Sequence, residues 1–315
     1  MRHAAFLLLV LLAGCGSNSS SDATNSAAPP PAKVTLALDF TPNAVHAPIY
    51  AAVREGLDRK AGVKIAIRPP GSAPDSLKDV LSGAADMGIL DIHDLGLAAD
   101  KGKDVVAVAA LVQRPLAAII TSKDVKRPRD LEGKDVGVSG LPSDPAFLDA
   151  IMGADGGNYK KAKLVTIGFT AVQSLISGRI QGVPAFWNAE GVVLKQRGVP
   201  THEFRADDYG APRYPEVVLV TRRATLDKRR KDIEAAVNAI KGGVAAVKSD
   251  PEAATADIAK ASGTSPKLVR AQIDAVLPIL GTALKRPVLE QWADWDTKYG
   301  ILPKRPDLDT TFAPL

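Results

Sequence analysis

Strand-like apolar runs alternate with helical patterns twice along this 315-residue chain, and the alternation then gives way to helices alone. Residues 34–38 read as a strand, and 46–60 as a helix with Ile49, Tyr50, Val53 and Leu57 on one face. Strands are expected at 63–67, 86–90, 105–111 and 116–121, with helices at 74–81 and from 91 to about 99. Such alternation predicts an α/β fold with a mostly parallel sheet covered on both faces. A charged segment with Pro128, at 123–133, reads as a crossing, after which the pattern restarts. Strands follow at 135–139, 163–168, 181–186 and 202–205, with helices at 144–152, 171–178 and 188–197. An apolar strand at 216–221 runs back, and helices at 233–247, 251–261, 266–277 and 287–299 close the chain. Prolines near several of their starts suit helix entry. Two lobes are expected, 33–122 plus 222–315 and 123–221, joined by crossings near 121–124 and 219–223.

The first residues read differently. Arg2 and His3 precede a nearly unbroken apolar run over 4–13, too short to span a bilayer, which takes roughly 20 residues. A basic start, a short apolar run and small residues describe a secretory signal peptide. The run ends Leu12-Ala13-Gly14-Cys15, similar to a bacterial lipobox, in which the cysteine is acylated and becomes the new N-terminus. Cys15 is the one cysteine in the sequence, so neither an internal disulfide nor thiolate chemistry in the folded part is available. Residues 16–32 carry no large apolar side chain and end in a proline run, as a flexible tether would. The expected location is outside the cell membrane, held to the lipid bilayer through Cys15.

Composition argues against nucleic-acid binding. The net charge is +5, but the basic residues are scattered, with no one-faced patch interleaved with aromatics. There is no G-x-S-x-G elbow, no H-E-x-x-H and no phosphate loop. Ligands of open parallel sheets bind beyond the carboxyl ends of strands. That directs attention to four loops: 39–46 (DFTPNAVH), 91–93 (DIH), 139–144 (SGLPSD) and 186–190 (FWNAE).

The opening LDFTPNAVHAPIYAAVREGL, with GAADMGI and FWNAEGVVLKQRG, resembles the substrate-binding proteins of ABC transporters for thiamine-pyrimidine precursors, the ThiY-like family. The likeness covers about residues 33–222. Its superfamily also holds binders of riboflavin, sulfonate and nitrate, and the fungal enzyme that makes the thiamine pyrimidine. The resemblance implies a type II periplasmic-binding-protein fold, with two lobes, a two-strand hinge and a small heterocycle in the cleft. It also implies permease subunits of an ABC importer as partners. The fungal enzyme carries a Cys-rich motif, a lysine for pyridoxal phosphate and a histidine that it consumes. Here no cysteine remains past the tether and the loop after Gly88 has no lysine, so a binding protein without a cofactor is expected.

Candidate ligand contacts follow from the four loops. Phe40 or Trp187 could stack on a flat ring or belong to the core. Asn43 offers a donor and an acceptor to a pyrimidine edge, or shapes the turn after Pro42. Glu190, with Asn188 beside it, could accept hydrogen bonds from an aminopyrimidine, or favour a helix start. Asp39, His46, Asp91 and His93 are polar groups at strand ends. The two histidines, each at a helix start, either hydrogen-bond in the cleft or serve helix entry and packing. His46, His93 and Asp91 could together hold zinc, but the histidines have no metal-ligand company in sequence, and no metal is assigned. Gly140, Pro142, Ser143 and Asp144 read as a helix start whose free amides could meet a polar group.

Overall fold

The computed structural model describes residues 30–70, 75–140, 143–168 and 170–315. The expected signal peptide, Cys15, the tether up to residue 29 and Pro142 lie outside them. The described residues form ten strands in two five-stranded sheets. The strands are β1 (Ala32–Ala37), β2 (Val63–Arg68), β3 (Met87–Asp91), β4 (Val106–Ala110), β5 (Ala117–Ser122), β6 (Asp135–Val138), β7 (Lys163–Thr166), β8 (Gly182–Phe186), β9 (Thr201–Arg205) and β10 (Val217–Thr221).

The first sheet has the order β2-β1-β3-β10-β4 and the second β7-β6-β8-β5-β9. β1 runs parallel to β2, from Ala32 opposite Val63 to Ala37 opposite Arg68. β10 is antiparallel to both its neighbours, with Val217 opposite Asp91 on β3. β5 holds the equivalent place in the second sheet, antiparallel to β8 and β9, with Ala117 opposite Phe186.

The expected boundaries move by one strand at each crossing. The sequence reading leaves 116–121 with the first lobe and 216–221 with the second, whereas β5 pairs in the second sheet and β10 in the first. The chain therefore crosses over 111–116 and 206–216, not near 121–124 and 219–223. The charged stretch that resembles a linker is a surface turn of the second lobe, with a short 3-10 helix at Pro128–Leu131. Strands buried on both faces are uniformly apolar and carry no mark of which sheet they join.

Side chains alternate across each sheet. Val217 and Leu219 face one core, and Val218 and Val220 the other. Ala118 and Ile120 continue the first core into the second sheet, and Ile119 continues the second. Both cores thus run past the crossings. The tail covers both: Ile240, Ile258 and Ile273 enter the first core, and Leu289 and Trp292 the second.

The long helix Arg223–Ser249 lies against Ala47–Arg54 with no room for a side chain at Gly243. A Cβ there would sit 2.0 Å from the Pro48 carbonyl oxygen, so the backbones must separate to admit it. Gly243→Ala is expected to cost about 1–3 kcal/mol, the range for overpacking a close contact. Gly153→Ala, where an added Cβ meets nothing within 4 Å, is expected to be neutral or to stabilise by up to about 1 kcal/mol. Urea unfolding of the two variants checks the contrast.

Candidate functional site

The loop after β1 is built by its own polar side chains. Asn43 Oδ1 accepts from the Val45 N–H at 3.0 Å, and Nδ2 donates to the Thr41 carbonyl at 3.1 Å. His46 Nδ1 accepts from the Asn43 N–H at 3.2 Å, which leaves the proton on Nε2 to bond Asp39 Oδ1 at 2.8 Å. His46 is 1% exposed, so both Asn43 and His46 shape the loop, while the partly exposed Asp39 and the 47% exposed Phe40 form its rim.

At the end of β3, Asp91 caps the helix Ile92–Asp100 by accepting from the His93 N–H at 2.7 Å. In the second lobe, Asp144 Oδ2 accepts from Ser139 Oγ at 2.8 Å and from the Gly140 N–H at 3.1 Å. This closes a turn in which Gly140 sits at φ +97°, a conformation that favours glycine. Ser143 opens the helix Ser143–Ala154 beside it. Four residues on, Phe147 reaches the first lobe, its ring centroid 6.3 Å from that of His93 and 6.0 Å from that of Trp295. The carboxyl ends of β3 and β6 therefore face each other.

After β8 the backbone makes a π-helical turn over Trp187–Gly191, a rare form often found at functional sites. Trp187 is 4% exposed; its N–H donates to the Leu116 carbonyl and its indole Nε1 to the Pro115 carbonyl at 2.9 Å. The Arg205 guanidinium lies 4.2 Å from the ring centroid. Trp187 thus anchors the second lobe to the first crossing and is not an open wall opposite Phe40. Asn188 is also 4% exposed, and its Oδ1 has no hydrogen-bond partner among the described residues. Glu190 Oε2 accepts from the Phe186 N–H at 3.1 Å, and burial raises its carboxyl above the ordinary range.

A buried polar cluster around His93 draws most of its members from outside the four loops. His93 Nδ1 is 2.6 Å from Asp296 Oδ2, and Nε2 is 3.2 Å from Tyr214 Oη and 3.5 Å from Glu216 Oε1. Glu216 Oε2 accepts from the Leu116 and Ala117 N–H groups at 2.7 and 3.1 Å, joining the two crossings. Arg114 and Asp207 join them again through two hydrogen bonds of 2.6 and 3.1 Å. Burial acts to lower the His93 imidazole, but Asp296 and Asp91 together raise it well above its ordinary value. Burial acts to raise Glu216, but His93 and the two amides bring it below the ordinary carboxylate range. Tyr214, Glu216 and Asp296 escaped the sequence reading. A signal for Asp296 exists: it shares a face of the helix Arg286–Lys298 with Trp292 and Trp295, where a carboxylate has no reason to be unless it has a partner.

The profile of the NMT1/THI5-like family matches residues 43–254. The chain belongs to this family. It is 32% identical over 225 residues to a formylaminopyrimidine-binding protein of Halalkalibacterium halodurans, covering 70% of this chain and 67% of the relative. A 4-amino-5-hydroxymethyl-2-methylpyrimidine phosphate synthase of Uromyces fabae is 25% identical over 242 residues, 72% of this chain and 70% of that one. Among solved structures, the periplasmic aliphatic sulphonate binding protein of Escherichia coli superposes with a TM-score of 0.74 at 17% identity, over 89% of this chain and 96% of the other. That likeness establishes the two-lobed periplasmic-binding fold.

Glu216→Ala would leave His93 without one counter-charge and two backbone amides without their acceptor. Removing one partner of a buried pair costs about 3–5 kcal/mol. Glu216→Gln keeps an oxygen for the amides and is expected to cost less. Denaturant unfolding of both variants should give that order, and equal losses would mean the amide bonds contribute little.

Proposed function

We propose that this protein is the solute-binding component of an ABC importer and captures a thiamine-pyrimidine precursor of the formylaminopyrimidine kind between its lobes. The observation that carries the reading is the charge of the four loops. Their described residues, with Asp94 beside them, hold five carboxylates, Asp39, Asp91, Asp94, Asp144 and Glu190, and no lysine or arginine. Burial holds Asp91 and Glu190 above the ordinary carboxyl range, so a basic partner is favoured there. An aminopyrimidine supplies a basic ring nitrogen next to an amino donor. A sulfonate or nitrate would meet repulsion. The relative from Halalkalibacterium halodurans supports the same ligand class.

In this reading Glu190 and Asn188 accept from the amino edge of the ring, and Phe40 stacks on its face. Trp187 positions Asn188 without touching ligand. Asp39, Asn43, His46 and the 139–144 turn hold the loops in place. Synthase chemistry is not part of the proposal, because the folded part has no cysteine and the loop after Gly88 no lysine. Among the described residues no helix is long and apolar enough to cross a membrane. Attachment is assigned to acylated Cys15, with the protein exported and facing a permease.

Two experiments test this. Glu190→Gln loses the charge and turns one acceptor into a donor facing the ligand's amine. Affinity for formylaminopyrimidine should fall at least about tenfold, equivalent to about 1.4 kcal/mol, by titration calorimetry. Unchanged affinity would return Glu190 to a purely local role capping β8. Separately, Cys15→Ala should abolish membrane attachment in fractionated cells; persistent attachment would overturn the lipid-anchor assignment.

A further inference from the structure

We propose that Asp91, His93 and Glu216 form a binding site for one divalent transition-metal ion of the zinc type, set beside the second crossing. Each offers one ligand atom, and the three atoms lie within 4.8 Å of one another. The His93 Nε2 to Glu216 Oε1 separation is 3.5 Å. Two ligands about 2.1 Å from a tetrahedral metal are about 3.4 Å apart, so this edge already has the length a metal requires. Glu216 is fully buried, and its Oε1 has no hydrogen-bond partner among the described residues although it points at the imidazole.

The surroundings fit a metal ligand set in two further respects. Asp296 Oδ2 lies 2.6 Å from His93 Nδ1, and an imidazole that donates Nδ1–H to a carboxylate keeps the Nε2 lone pair free for a metal. Tyr214 Oη, 3.2 Å from Nε2, is the group a cation would displace from that lone pair. Charge balance points the same way. Asp91, Glu216 and Asp296 bring three carboxyl groups around one imidazole, and the charged groups acting most strongly on Asp91 and Asp296 include no lysine or arginine. Asp91 is the partly exposed member and opens the way in from the ends of the strands. The ion would join the start of the helix Ile92–Asp100 to the crossing, and so stiffen the hinge.

The test uses the full chain, stripped with a chelator and dialysed against Zn2+ or Co2+. One ion per chain should be taken up, with a Co2+ visible spectrum of low coordination number and a metal-dependent rise in melting temperature. His93→Gln and Glu216→Gln should abolish stoichiometric uptake. Asp296→Asn, which alters only the group orienting His93, should weaken it by about 10–100-fold. Glu290→Gln, on the outer side of the Trp292 helix, should leave it unchanged. If a ligand variant fails to fold, the wild-type Co2+ spectrum and the Asp296→Asn affinity decide. No stoichiometric uptake by the wild type, or uptake unaltered by Asp296→Asn, overturns the site. So does a result in which Glu216→Gln loses affinity for formylaminopyrimidine in the presence of chelator while the wild type takes up no metal, because the carboxylate would then serve the organic ligand.

Discussion

The Glu216 carboxylate, held by the Leu116 and Ala117 amides, is the interaction on which the two-lobed arrangement turns. The sheets share no strand; the chain passes between them only over 111–116 and 206–216 among the described residues. Each crossing delivers the antiparallel strand of the sheet it reaches, β5 or β10. Glu216 stands at the first residue before β10 and binds the first residue of β5 and the one before it. A single side chain therefore fixes where both of these strands begin. The Ile92 N–H donates to the Glu216 carbonyl and the Leu111 N–H to the Val217 carbonyl, so the start of a helix and the end of β4 are set by the same few residues.

What lies around that carboxylate explains why it can be fully buried. A charge in the interior needs hydrogen bonds and a counter-charge. Glu216 has two backbone donors on one oxygen and His93 near the other. His93 is in turn bounded by Asp296 from the tail helix and by Tyr214 from the second crossing. The aromatic rings of Phe147, Trp292 and Trp295 then exclude water from the group. Phe147 comes from the second lobe, so both lobes contribute to burying the charged cluster. The tail also braces the first crossing directly, through the Val112–Leu280 bridge and the Gln113 N–H to the Ile279 carbonyl.

Much of this architecture is legible in the sequence, and the part that is not has a physical reason. Strands and helices are set by local periodicity, so nearly every expected element is present within a few residues. The lobe boundaries are not local. The interiors of β5 and β10 are runs of Val, Ile, Leu, Ala and Thr buried on both faces, and nothing in such a run tells which sheet accepts it. The site divides in the same way. Loops after strand ends single out Asp91, His93, Asn188 and Glu190 as candidates, because the topology of parallel sheets puts such loops together. Trp187 and His46 carry equally suggestive side chains, but one is spent on Pro115 and Arg205 and the other on Asn43 and Asp39. Asp296, 203 residues from His93, could be reached only through its odd place on an apolar helix face.

Charge organisation shows how a ligand would be chosen. The whole chain carries +5, yet the loops at the strand ends are acidic. Scattered surface lysines and arginines act through water and salt, where interactions fade over about 10 Å. Many are already paired at the surface, as in Arg127 with Asp155 and Arg286 with Asp309. The carboxylates of the loops act at close range and in partly dry surroundings, where a charge counts for more. A basic heterocycle is therefore not drawn in by the long-range field of the molecule. On the proposed reading it would be retained by the few groups it touches, and discrimination against anions would be set at the same place. On the proposed reading this arrangement separates the two demands on a capture protein: the outer surface can suit its surroundings and partners, while Phe40, Glu190, Asn188 and the acidic strand ends would select what stays between the lobes.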